Sequence, residues 1–205
     1  MPRPASFDRE EALDAVMRTF WEHGFEATSL DRIERATGLK RQSLYNAFGD
    51  KEAMFAAALD RYRIQVGTPL RALLDHDDPA TAVRAYLEGH LRMLQDPCTP
   101  AGCLIAGCSS ELGPREDSVG ARMRAETAGA VEAGVEVFRA WAAAGKLSIG
   151  ADPEQLAALL ATIIRGLAVL ARANPDPDIL IQAVDGAVAA LSPFLGAASP
   201  PAHAQ

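Results

Sequence analysis

The sequence predicts an all-α protein of about nine helices, on three observations. Apolar residues recur at the three- and four-residue spacing of amphipathic helices along nearly the whole chain, and strand-like alternation is almost absent. Turn-forming stretches such as Gly49–Asp50, residues 96–102 (DPCTPAG) and residues 174–178 (NPDPD) separate the periodic segments. The composition, 49% hydrophobic and 23% charged over 205 residues, is enough to bury a core and argues against wholesale disorder.

In chain order, residues 8–23 place Leu13, Val16, Met17 and Phe20 on one face, with Asp8 or Ser6 as a candidate cap and Gly24 as the stop. Thr28 or Ser29 caps the next segment, where Leu30, Ile33 and Ala36 keep helical spacing until Gly38. Leu39 points inward, and residues 41–48 (RQSLYNAF) restart a helix on Leu44 and Phe48. Asp50 caps a longer helix over 51–66. Beyond Pro79 lie a helix over 80–95, a short segment over 103–112 and one long helix over 117–145 bearing Met123, Val131, Val135, Phe138 and Trp141. Asp152–Pro153 opens a helix that runs to 173, and a last helix ends near Leu195. The expected organisation is a small N-terminal domain over 1–50, a larger helical domain over 51–196, and a disordered tail over 197–205.

Charge narrows the function. The net charge of -7 argues against a protein that coats nucleic acid without selectivity. Residues 28–51 nevertheless carry five cations (Arg32, Arg35, Lys40, Arg41, Lys51) against three acids, a local net of +2. The N-terminus turns acidic before any apolar run of signal-peptide length, so no secretory leader is expected. Residues 156–173 approach a membrane span in length, but Arg165 and Gly166 sit at their centre, where a charge costs several kcal/mol. Three cysteines without a leader suit a reducing compartment, so the expected location is cytoplasmic.

Two short helices joined at Gly38 form a helix-turn-helix over about 29–48. Ile33, Ala36, Leu39 and Leu44 can share a small core, which leaves Lys40, Arg41, Gln42, Tyr45 and Asn46 facing outward. A helix of that size fits the major groove, where Arg reads guanine and Gln or Asn reads adenine. Thr28, Ser29, Tyr45 and Lys51 suit phosphate contacts, which set register rather than sequence preference. A solvated helical hairpin with no DNA role is the competing reading of that pattern alone.

Residues 38–55 (GLKRQSLYNAFGDKEAMF) resemble the DNA-binding signature of the TetR family of transcriptional regulators, with Gly38, Ser43, Leu44, Tyr45, Phe48, Lys51 and Glu52 in register. Upstream, residues 19–38 (TFWEHGFEATSLDRIERATG) are similar to the same family's first helix and loop. The resemblance covers roughly residues 8–60. It implies a homodimer whose third helices each enter one half of a near-palindromic double-stranded operator, and a C-terminal domain that binds a small-molecule effector. It places Lys40, Arg41, Gln42, Ser43, Tyr45 and Asn46 on the recognition helix or its entry, and Thr28, Ser29 and Lys51 at phosphate-contacting positions. Asn46–Ala47 stands where the family commonly has a histidine pair, so the resemblance carries no operator sequence.

In the C-terminal part, Leu156, Leu160, Ile163, Leu167 and Leu170 form one apolar stripe and Ile181, Val184, Val188 and Leu191 a second. Stripes on this scale suit an association face, and the family pairs its two C-terminal helices with those of a partner chain; the intrachain core is the competing assignment. Candidate effector-binding residues are Tyr62, Tyr86, His90, Leu94, Cys103, Cys108, Phe138 and Trp141. Residues 102–112 (GCLIAGCSSEL) resemble a segment of a cysteine-bearing TetR subgroup, with Cys103 and Glu111 in register but Gly107 in place of the usual Asn. Some members of that subgroup sense oxidants or electrophiles through a cysteine, and a thiol in the first turn of a helix has its thiolate stabilised by free amides. Cys98, Cys103 and Cys108 lie five apart, off any single helical face, so neither a metal nor another cofactor is expected.

The reading is a cytoplasmic DNA-binding transcriptional regulator, a repressor released by a small effector or by cysteine modification. The alternatives are a cysteine-dependent enzyme and a protein-binding module on the same helices. Enzyme function is not expected, because histidines at 23, 76, 90 and 203 make no recognisable triad with a cysteine.

Overall fold

A computed structural model describes residues 7–66, 70–173 and 176–196. The expected tail over 197–205 and the alternative cap Ser6 lie outside them. Among the described residues there are nine α-helices and no strand: α1 (Arg9–His23), α2 (Leu30–Thr37), α3 (Arg41–Phe48), α4 (Lys51–Val66), α5 (Pro79–Leu94), α6 (Leu104–Leu112), α7 (Ser118–Ala143), α8 (Pro153–Ala173) and α9 (Pro177–Leu191). The all-α expectation holds throughout.

The helix ends follow the expected chemistry. Asp8 accepts hydrogen bonds from the amides of Glu10 and Glu11, Ser29 from Arg32, Asp50 from Ala53 and Asp78 from Thr81, so each satisfies a donor its helix leaves free. Such caps are each worth ~1 kcal/mol. Gly38 closes α2 in the left-handed region (φ 68°, ψ 5°), which a side chain disfavours, and its amide reaches the Glu34 carbonyl.

The described residues form two compact units, one of 7–66 together with 96–127, the other of 70–95 together with 128–173 and 176–196. The first is wider than the N-terminal domain expected over 1–50, because α4 and the segment around α6 pack with α1. Phe20 meets Phe55 edge-on at 5.1 Å, and Trp21 meets Tyr62 at 4.8 Å. Arg61 forks onto Asp14 (2.6 and 3.0 Å) and reaches Glu10, which holds α4 along α1. That guanidinium keeps the Asp14 carboxyl below the usual carboxylate range.

In the second unit α5, α8 and α9 bury Val83, Leu87, Leu156, Leu160, Leu167, Leu180, Val184, Val188 and Leu191. Arg84 on α5 bonds Asp185 on α9 at 3.0 Å. Here α8 resolves a conflict in the sequence. It is long and apolar enough to cross a membrane by composition, yet Leu156, Ala157, Leu160, Leu167, Ala168 and Ala171 are buried against the chain's own helices.

Two expectations about apolar faces are corrected. Ala36 is exposed and does not join the helix-turn-helix core; Ile33 and Leu44, each fully buried, supply it with Phe48. Of the residues assigned to an association face, Leu156, Leu160, Leu167, Val184 and Val188 belong to the intrachain core, Ile163 is half-buried, and only Leu170 and Ile181 are exposed. The apolar surface on α8 is shifted instead to Leu159, Val169 and Leu170, beside exposed Thr162 and Gly166. A helix that is apolar most of the way round offers two stripes, and periodicity alone does not say which one the chain covers.

Candidate nucleic-acid interface

The candidate recognition helix, α3, is built from the inside out. Leu44 and Phe48, one turn apart on α3, are buried, and so is Ile33 of α2, the helix that packs with α3. That fixes α3 about its axis and turns Gln42, Tyr45 and Asn46 to solvent as one patch, since they lie three and four residues apart. The Gln42 amide nitrogen donates to the Asn46 side-chain oxygen at 3.0 Å. Each amide so keeps a free donor, and Gln42 keeps its oxygen, which is the pattern that reads adenine. Tyr45 is 40% exposed, and Lys40 is exposed at the helix entry.

The start of α3 is held by acids that no pattern in the sequence singles out. Lys40 provides no side-chain cap. The Arg41 amide donates instead to Glu34 at 2.7 Å, and the Arg41 guanidinium pairs with both Asp31 and Glu34. Arg41 therefore spends its charge fastening α3 to α2 and is not presented as a free guanine reader. No fixed spacing ties an acid seven residues upstream to a helix entry across a turn; only the 3D approach of α2 does.

The phosphate-facing candidates divide in the same way. Ser29 is exposed at the N-cap of α2. The Lys51 ammonium lies over the Phe25 ring, 4.4 Å from its centre, and reaches the Glu26 carbonyl, with its charge held at the surface. Thr28 is a correction: it is fully buried, and its hydroxyl donates to the Gly24 carbonyl at 2.6 Å. It shapes the turn and offers no side-chain surface to a phosphate. Ser43 is half-buried on α3.

The structure distributes the candidate effector residues over both units. Tyr62, Cys103 and Cys108 lie in the first, and Tyr86, His90, Leu94, Phe138 and Trp141 in the second. Cys103 takes the N-cap position of α6, beside the Tyr62 hydroxyl; burial, then Cys103, push the Tyr62 hydroxyl up and keep it neutral. Cys108 is buried, Cys98 exposed. Leu94 is buried, and Phe138 and Trp141 meet edge-on at 5.5 Å. Burial pushes His90 down to about 4, against a weaker opposing bond to the Ile164 carbonyl, so the ring is neutral. His90 Nε2 and Trp141 Nε1 are buried and lack a hydrogen-bond partner among the described residues.

Comparison with known proteins decides the family. Residues 12–58 match the family model described as bacterial regulatory proteins of the tetR family, and residues 79–187 match the tetracyclin repressor-like C-terminal domain. The chain is 31% identical over 182 residues to the HTH-type transcriptional repressor ComR of Escherichia coli K12, covering 88% of this chain and 87% of ComR. The chain belongs to the TetR family. As a TetR-family protein it is a DNA-binding transcriptional regulator. Among solved structures, a cysteine mutant of the TetR regulator CifR complexed with 26-base-pair double-strand operator DNA matches with a TM-score of 0.85 and 32% identity, over 92% of this chain and 99% of that one. The reduced form of E. coli NemR matches in fold, with a TM-score of 0.76 at 20% identity over 94% of this chain and 98% of NemR.

Proposed function

We propose that this TetR-family chain is a cytoplasmic repressor that binds a near-palindromic operator as a homodimer through α3. The observation that carries this reading is the outward patch of Gln42, Tyr45 and Asn46, oriented by the buried Leu44 and Phe48. Lys40, Ser29 and Lys51 flank it as phosphate contacts, Ser43 lies at its edge, and Arg41 serves by holding α3 to α2. CifR, bound to operator DNA in its own structure, supports the same use of the fold here. The relatives are transcriptional regulators, and regulation rather than turnover is the reading their likeness supports.

Release from DNA is assigned to an effector held in the second unit, with His90 and Trp141 as its polar contacts. A buried donor or acceptor without a partner costs about 1–3 kcal/mol, so a ligand that satisfies either gains that much selectivity. Modification of Cys103, half-buried at its helix cap, is the second route.

The test is selection of bound duplexes from a random pool, repeated after treatment of the protein with an electrophile or oxidant. An enriched palindrome is the expected result. If it is lost on treatment and kept by Cys103→Ser, the thiol route holds; if it survives treatment, the second unit's effector is the route. No enrichment at all would remove the repressor reading.

A further inference from the structure

The turn between α1 and α2 is tied to α6 by a bond that neither the helix-turn-helix core nor the DNA face requires. Glu111, on α6, accepts the Phe25 backbone N–H at 2.6 Å. That amide lies just past the end of α1. A buried amide left unpaired there is costly, and a carboxylate is the strongest acceptor a side chain can supply.

The turn is shaped around that carboxylate. Gly24 sits at φ 78°, where side chains are disfavoured, and a Cβ there would stand 3.1 Å from Glu111 Oε1. The Phe25 ring is buried between Phe20 and Phe55, with the Lys51 ammonium 4.4 Å and the Arg115 guanidinium 5.3 Å from its centre. Arg115 also pairs with Glu26. Further up α1, the Trp21 indole donates to the Gly102 carbonyl at 3.1 Å and Arg18 to the Cys98 carbonyl at 2.8 Å. Residues 98–115 thus hold the end of α1 and the following turn by main-chain and side-chain bonds together, and the Glu111 bond is made to the turn's own backbone.

We propose that Glu111 is a positioning residue for operator binding: by fixing the Phe25 amide it sets the direction in which α2 and α3 leave α1, and so the placement of each recognition helix on its half-site. Glu111 touches no DNA in this role. The inference rests on the repressor reading, since placement matters only if α3 is read against a partner's α3 across a fixed half-site spacing of one helical turn.

The test uses the full chain and the palindrome recovered by selection, together with versions whose centre is one base pair shorter or longer. Wild-type protein should favour one spacing. Glu111→Ala should bind that duplex roughly ten-fold more weakly, the size expected for a lost charge-assisted bond. It should also discriminate less among the three spacings. Glu111→Gln keeps an oxygen that accepts the same N–H and should restore most of the affinity and the preference. Should Glu111→Ala fail to fold, Glu111→Asp, which withdraws the carboxylate by one methylene, carries the same expectation. Wild-type affinity and spacing preference in the variant would overturn the proposal. So would an equal loss on all three spacings, because that reports fewer folded molecules rather than a misplaced helix. Failure of the wild-type chain itself to bind any duplex would instead count against the repressor reading.

Discussion

Gln42 and Asn46 share one hydrogen bond across a turn of α3, and what each retains for DNA follows from it. Gln42→Ala removes an amide that can pair with a base edge and also frees Asn46. The expected outcome is a changed base preference at one position of each half-site, with a discrimination loss of about 1–3 kcal/mol, read by competition among single-base operator variants. Tyr45→Ala should weaken all duplexes alike, because a contact to the backbone carries no base identity. Glu34→Ala should act differently from both. It removes the cap on the Arg41 amide and one partner of its guanidinium, so it should lower stability by ~1 kcal/mol, visible in a chemical denaturation midpoint. These residues also differ in how far sequence exposed them. Gln42 and Asn46 were legible because helical spacing separates them from Leu44 and Phe48. Glu34 was not, and Glu111 stood out only as a motif position without a partner, because their partners are main-chain amides seven and 86 residues away.

At the scale of helices, α5 and α8 each hold a group whose behaviour depends on packing. Burial holds His90 on α5 at about 4, below the ordinary value of 6.5. Between those values the unfolded chain binds a proton that the folded chain does not, so stability rises with pH across that window. The contribution is complete above about pH 6.5 and is lost progressively as the pH falls towards 4, by at most about 3 kcal/mol. His90→Gln cannot titrate and should flatten that part of the stability–pH profile when unfolding is followed from pH 4 to 7. On α8 and α9, burial distinguishes two kinds of apolar residue. Val169→Glu or Ile181→Glu places a charge on exposed surface (57% and 47% exposed) and should give a folded monomer by light scattering. Val184→Asp puts a charge into the intrachain core and should unfold the chain instead. A dimer that persists in both surface variants would move the association face elsewhere.

For the whole molecule, charge distribution governs how DNA is found and held. A chain of net charge -7 that carries a local excess of +2 over residues 28–51 is repelled by DNA except where that patch leads. Binding to arbitrary sequence should accordingly be weak and its loss with salt steep. Each phosphate contact removed, as in Lys40→Ala or Lys51→Ala, should reduce the slope of log affinity against log salt by about 0.9 for every phosphate released, and a symmetric dimer loses two at once. A slope unchanged in Lys51→Ala would exclude that ammonium, held over Phe25, from the phosphate contacts.

By itself the sequence determined the helical class, the course of the nine helices among the described residues and the outward face of α3. Each of these depends on spacing within one segment: 3.6-residue periodicity, a capping residue beside its own helix, a glycine at its end. The tertiary structure decided what depends on segments meeting. It buried Thr28, engaged Arg41 with two acids, turned Leu160 and Val184 into the core in place of the surface, and brought Glu111 to the amide of Phe25. The physical reason is that a helix with apolar residues on several sides, or a charged group with several possible partners, has no preferred direction until another helix covers one side and leaves the other to solvent.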